Sequence, residues 1–136
     1  MLKVFITDDS VLVRERLIGL ISELEAVELV GQAENAHEAI EAIQRLRPDV
    51  VILDIRLPGG NGIEILKNIK QNEPSPIVIM LTAFPYRQFY EKCQEAGAEY
   101  FFDKASEFRC IIEVLQQLQD GKAEADVLNA ETKLHN

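Results

Sequence analysis

The sequence predicts an α/β domain in which a doubly wound parallel sheet carries helices on both faces. Short apolar runs alternate with longer amphipathic segments along the chain, the pattern of repeated βα units. The third run, Asp49–Leu53 (Asp-Val-Val-Ile-Leu), shows no polar alternation after its first residue, as expected of a strand covered on both faces. Right-handed crossovers then leave few topologies, and the strand order 2-1-3-4-5 is common at this size.

The elements follow in order. Leu2–Thr7 reads as a buried strand that stops abruptly at Asp8-Asp9-Ser10. From Val11 to about Glu25, apolar residues at Val13, Leu17, Leu20, Ile21 and Leu24 share one helical face. Glu28–Ala33 is the second strand. Asn35 opens the second helix with Glu38 placed for a capping box, and Pro48 ends that segment. Asp54 follows the third strand. The loop Leu57-Pro58-Gly59-Gly60-Asn61 has turn chemistry, and Asn61 with Glu64 offers a cap for a helix around Ile63–Ile69. Pro76–Leu81 is a fourth strand ending at Thr82, Tyr86–Ala96 a fourth helix, and Glu99–Phe102 a fifth strand ending near Lys104. Ser106 is expected to cap a last helix carrying Ile111, Ile112, Leu115 and Leu118 on one side. The expected architecture is thus a flavodoxin-like five-stranded domain over residues 1–119, followed by a polar tail or helical extension at 120–136.

Composition bounds the function. The 136 residues suit one domain, and the formal net charge of −9 disfavours direct binding to nucleic acid or anionic membrane. An acidic balance suits a bound cation or a partner with a basic face. No apolar run reaches the roughly 18 residues needed to span a bilayer, and Met1–Ile6 is too short and too quickly acidic for a signal peptide, so a cytoplasmic protein is expected. Cys93 and Cys110 lack a CxxC spacing and read as reduced packing thiols. His37 and His135 have no neighbouring metal-type ligands and read as surface histidines.

The chemistry lies just past the strand ends: Asp8 and Asp9 after the first, Asp54 after the third, Thr82 after the fourth, Lys104 after the fifth. Each has an ordinary reading alone. Asp9-Ser10 caps a helix, Asp8 is a solvated loop acid, Asp54 a turn residue, Thr82 a strand-end hydroxyl and Lys104 a surface lysine. Together they place three carboxylates beside one another, because strands one and three are neighbours in this order. Two carboxylates ~5 Å apart at an effective dielectric of ~20 repel by roughly 3 kcal/mol. Compensation comes from a raised pKa, a nearby lysine or a bound cation, and an oxygen-only set suits Mg²⁺ or Mn²⁺. Such a site makes Asp54 a nucleophile toward phosphorus, with Lys104 and the Thr82 hydroxyl meeting phosphoryl oxygens.

The sequence resembles the receiver domain of two-component response regulators. The matching elements are Phe5-Ile6-Thr7-Asp8-Asp9-Ser10, Leu53-Asp54-Ile55-Arg56-Leu57-Pro58 with Gly62, Met80-Leu81-Thr82-Ala83, and Gly97-Ala98-Glu99-Tyr100-Phe101-Phe102-Asp103-Lys104, spanning about residues 2 to 119. The resemblance implies that Asp54 accepts a phosphoryl group from a histidine kinase or histidine phosphotransfer protein. It implies that Asp8, Asp9, Asp54 and the Arg56 backbone carbonyl hold the metal, that Thr82 and Phe101 form the switch, and that output passes through the fourth helix, fifth strand and fifth helix. A stand-alone switch, acting without enzymatic turnover beyond its own phosphorylation and dephosphorylation, is the leading expectation. A non-phosphorylated interaction module and the receiver fragment of a longer DNA-binding regulator are the alternatives. A dehalogenase-type phosphatase would want an acid where Arg56 stands, and a flavin-binding relative would not place Asp8-Asp9 against a phosphate.

Two departures from the family, and two family-variable positions beside the site, carry expectations. Ala105 stands where proline often follows the lysine, so the Lys104–Ala105 bond is expected to be trans. Phe101 replaces the commoner tyrosine and is expected to favour the buried rotamer. Bulky Phe84 beside the site is expected to limit the approach of water, with Arg56 positioned to pair with a phosphoryl or a kinase carboxylate. Tyr86, Phe89 and Tyr90 crowd more aromatic surface into one turn than a single stripe buries, which points to a partner or homodimer surface.

Overall fold

The computed structural model describes residues 1–125. Its sheet contains β1 (Leu2–Thr7), β2 (Val27–Ala33), β3 (Val50–Leu53), β4 (Ile77–Thr82) and β5 (Tyr100–Asp103), all parallel in the order 2-1-3-4-5. The helices are α1 (Val11–Ile21), α2 (Ala36–Leu46), α3 (Gly62–Lys70), α4 (Arg87–Glu95) and α5 (Cys110–Ala125).

Alternation along the strands builds a core on each face. On one side Val4, Ile6, Val50, Ile52, Ile79 and Leu81 meet Leu17 and Ile21 of α1 and Ile111 and Leu115 of α5. On the other, Phe5, Val51, Leu53, Val78 and Met80 meet α2, α3 and Cys93 of α4. β3 is apolar throughout because successive side chains enter opposite cores. Asn35 and Asn61 cap α2 and α3 as expected, their side chains accepting the backbone N–H of Glu38 and Glu64.

Several expectations need correction. α1 stops at Ile21, short of Glu25, and the chain turns so that Ala26 O can accept the Leu2 N–H; Leu24 still packs on the core from the turn. Residues Arg56–Leu57 and Gly60–Asn61 pair as a two-residue hairpin rather than a plain loop. Ser106 does not cap α5. Asp103 takes its hydroxyl at 3.0 Å and the Ala105 N–H at 2.9 Å, and the helix opens only at Cys110, after Phe108 has entered the core. The Lys104–Ala105 bond, by contrast, is not cis, as expected; among the described residues Glu73–Pro74 is the cis bond. α5 continues unbroken past residue 120 to Ala125, and the rest of the expected tail, with His135, lies outside the described residues. Among the described residues no helix is long and apolar enough to cross a membrane.

Candidate functional site

The site forms where β1 and β3 end side by side, in the crevice at the carboxyl edge of the sheet. Thr7 pairs with Leu53, and Asp54 N donates to Thr7 O at 3.0 Å, so Asp8 and Asp54 leave adjacent strands in register. Asp8 is 2% exposed and Asp54 5%, whereas Asp9 faces solvent. One carboxylate oxygen from each of the three lies within 4.8 Å of the others. β5 brings Lys104 to the same place: its backbone N–H bonds Thr82 O at 2.8 Å, and its ammonium spans Asp8 Oδ2 at 2.7 Å and Asp54 Oδ2 at 2.8 Å. Of the compensations open to clustered acids, the lysine supplies one here.

The electrostatics follow from burial and charge. Burial pushes the Asp54 carboxyl above its ordinary value; the Lys104 hydrogen bond and charge pull it down without cancelling the rise, and Asp8 adds to it. Burial works to lower Lys104, but its hydrogen bonds to Asp54 and then Asp8 overcome this and hold the ammonium above its usual range. Asp54 Oδ1 is anchored by the Ile55 N–H at 2.7 Å, leaving Oδ2 facing the lysine. Three carboxylates converging on one space, all hard oxygen donors, fit a small divalent cation such as Mg²⁺ or Mn²⁺.

Ser10 resolves the competing reading of Asp9. Its hydroxyl caps α1 by accepting the Val13 N–H, so the Asp9 carboxylate is not consumed as a cap. Gly62 has a steric reason to be glycine: a Cβ there would overlap the Asp54 carbonyl oxygen, and its N–H bonds Ile55 O at 2.7 Å. The start of α3 thus presses directly on the backbone that carries Asp54.

The family model for the response regulator receiver domain matches residues 4–116. The chain belongs to the response regulator receiver family. It is 36% identical over 121 residues to the transcriptional regulatory protein LnrK of Bacillus subtilis (strain 168), covering 89% of this chain and 55% of that one. Its fold is similar to the response regulator domain of Thermotoga maritima CheB, with a TM-score of 0.78 and 30% identity over 89% of this chain and 95% of that one. It is also similar to the isolated receiver of RcsB from Salmonella enterica serovar Typhimurium in the presence of the phosphomimetic BeF3⁻, with a TM-score of 0.81 and 28% identity over 88% and 89% of the two chains. The chain spans about half the length of the curated relatives it matches.

Thr82 is fully buried at the end of β4, level with Asp103, and its hydroxyl oxygen accepts the Phe84 N–H at 3.0 Å. Phe101 is half-buried, packed against the core rather than turned out to solvent, and meets Tyr90 edge-on with centroids 5.4 Å apart. Arg56 and Phe84, read separately in the sequence, form one unit: the guanidinium carbon lies 4.0 Å above the ring centroid. Tyr86 and Tyr90 are 52% and 44% exposed, so the aromatic crowding on α4 does leave surface uncovered. A groove of ≈620 Å³ lies beside it, lined by Tyr90, Phe101, Arg87, Glu91 and Glu107 among others. His37 is exposed, as expected.

Arg14 is the contact residue that the sequence reading missed. It touches the backbone of Asp8 and side chains from the end of β2. The available signal was a cation in the first turns of a helix, where the dipole disfavours it and a specific partner is needed.

Proposed function

We propose that this receiver domain takes a phosphoryl group onto Asp54 from a phosphohistidine of a histidine kinase or phosphotransfer protein, and signals through protein contacts. The observation that carries the reading is Lys104 bridging Asp8 and Asp54 inside a cluster of three acids. Asp8, Asp9 and Asp54, with the backbone carbonyl of Arg56, would hold Mg²⁺ or Mn²⁺. The cation, when bound, neutralises the carboxylate and phosphoryl oxygens and aligns them for in-line transfer.

The chain's own residues do the rest. An Asp54 oxygen forms the new O–P bond as the N–P bond of phosphohistidine breaks, and the departing imidazole nitrogen regains a proton from solvent. Lys104 exchanges its hold on Asp54 Oδ2 for a phosphoryl oxygen. The Thr82 hydroxyl turns its hydrogen toward another. Buried walls around Asp54 exclude water from the acyl phosphate. The new charge of about −1.5 to −2 draws Thr82 and Lys104 inward, and the half-buried Phe101 ring follows into the space behind Thr82. That movement reaches the surface of α4, β5 and α5, where the exposed tyrosines await a protein partner or a second copy of the chain. The domain turns over no substrate besides its own phosphoryl group.

A second reading attaches the output covalently. The transcriptional relatives are about twice as long as the matched segment, which favours a receiver that controls a DNA-binding portion of a longer regulator.

The test is an intact mass after incubation with Mg²⁺ and a small acyl-phosphate donor, with Asp54→Asn as control. A single phosphoryl adduct that the mutant lacks supports the proposal. No adduct in the parent selects a non-phosphorylated interaction module instead.

A further inference from the structure

Two of the three acids sit on the short Asp8-Asp9 segment, and that segment is gripped from outside by Arg14. The Arg14 side chain is 12% exposed. Its Nη1 donates to the Asp8 carbonyl at 2.7 Å and its Nε to Gln32 Oε1 at 2.9 Å, while Nη2 lies 3.8 Å from Glu34 Oε2. The guanidinium therefore braces the end of β1 against the end of β2, where Gln32 and Glu34 lie.

The carbonyl it holds belongs to the peptide joining Asp8 to Asp9. The other end of Asp8 is fixed as well, by its N–H on Ala33 O at 3.1 Å. Because a peptide is planar, fixing its oxygen fixes the plane that carries the nitrogen and Cα of Asp9, and so the base from which the Asp9 side chain departs. The Asp8 carboxylate has anchors of its own, the Ser10 N–H on Oδ1 and Lys104 on Oδ2. Asp9 is exposed and depends more on its backbone for aim. A planar fork serves the carbonyl and Gln32 at once, a geometry that lysine does not reproduce.

We propose that Arg14 is a positioning residue for the cation site, holding the Asp8–Asp9 peptide so that the Asp9 carboxylate meets those of Asp8 and Asp54. The inference rests on the cation binding proposed above. Metal affinity falls about 10–100-fold when groups that orient metal ligands are removed, and Arg14 acts on its ligand through the backbone in the same manner.

The test titrates Mn²⁺ alone into the parent, Arg14→Gln, Arg14→Lys, Gln32→Ala and Asp9→Asn, following free Mn²⁺ by its EPR signal. Melts in EDTA are run alongside. Arg14→Gln is expected to bind roughly 10–100-fold more weakly than the parent. Arg14→Lys restores charge without the fork and stays weaker than the parent, and Gln32→Ala falls between. A merely structural Arg14 would lower the EDTA melting point and leave the Kd, measured well below that point, unchanged. Parent-like affinity in folded Arg14→Gln overturns the proposal. If that variant does not fold, parent-like affinity in Arg14→Lys and Gln32→Ala does so. A parent that binds no Mn²⁺ overturns the cation reading itself, which separates the two failures.

Discussion

Replacing Lys104 with methionine removes the one charge placed between two buried acids while keeping a side chain of similar length. The ammonium is 2.7 Å from Asp8 and 2.8 Å from Asp54, and its side chain is only 16% exposed. Carboxylate oxygens of Asp8 and Asp54 approach within 4.8 Å. At an effective dielectric of ~20 their uncompensated repulsion is about 3.5 kcal/mol, within the ~3–5 kcal/mol seen when one partner of a buried pair is deleted. Lys104→Met should therefore lose about 3 kcal/mol in EDTA, a fall in melting temperature of roughly 10–15 °C for a domain of this size. The same repulsion becomes an attraction for a divalent cation, so Mg²⁺ should bind the variant up to about 100-fold more tightly and recover most of the lost stability. The pH dependence has a definite sign. Lys104 is held above its ordinary value, so its contribution is present below pH 10.5 and disappears as pH rises through the folded value. The gap between parent and variant should close at high pH, and also at low pH as Asp54, which burial holds above its ordinary value, protonates. A variant that melts with the parent in EDTA at neutral pH, or binds Mg²⁺ no more tightly, refutes this account of the cluster.

Gly62→Ala puts a methyl group into the Asp54 carbonyl, where backbone rather than a flexible side chain must yield; a loss of about 3 kcal/mol in urea unfolding is expected, and an unchanged midpoint would contradict it. Phe84→Ala removes the platform under the Arg56 guanidinium and opens the approach to Asp54. At about 0.5–1 kcal/mol for the lost contact, phosphate should leave Asp54 roughly two- to fivefold faster, and equal half-lives dispose of the idea. Burial pushes the Cys93 thiol up to about 11. Native Cys93 should resist alkylation at mildly alkaline pH until the protein unfolds, and its contribution to stability should be lost as pH rises from 9.0 toward 11. Rapid native labelling of Cys93 would show that the α4 core is open.

What the sequence disclosed depended on how local each signal was. Asp49–Leu53 announced a doubly covered strand because both of its faces are read from consecutive residues. The acids and the lysine were legible because strand ends in this topology share one edge, so position alone implied proximity. Competition misled at Ser106. Asp103, three residues earlier, takes the serine hydroxyl for its own turn, and a capping motif does not reveal that rival. The Arg56–Leu57 hairpin was too short for any periodicity to register. Arg14 stayed hidden because its partners are a backbone carbonyl and side chains about 20 residues away, which no spacing rule connects. Arg56 and Phe84 were each noticed, but their stacking depends on the third and fourth strand ends being neighbours.

The most direct measurement identifies the phosphorylated residue itself. An acyl phosphate on aspartate is reduced by borohydride to homoserine, which peptide sequencing by mass spectrometry locates. After treatment with Mg²⁺ and an acyl-phosphate donor, homoserine should appear at position 54 alone. Homoserine at position 8 or 9, or at none of the three with the protein folded, would contradict the assignment of Asp54.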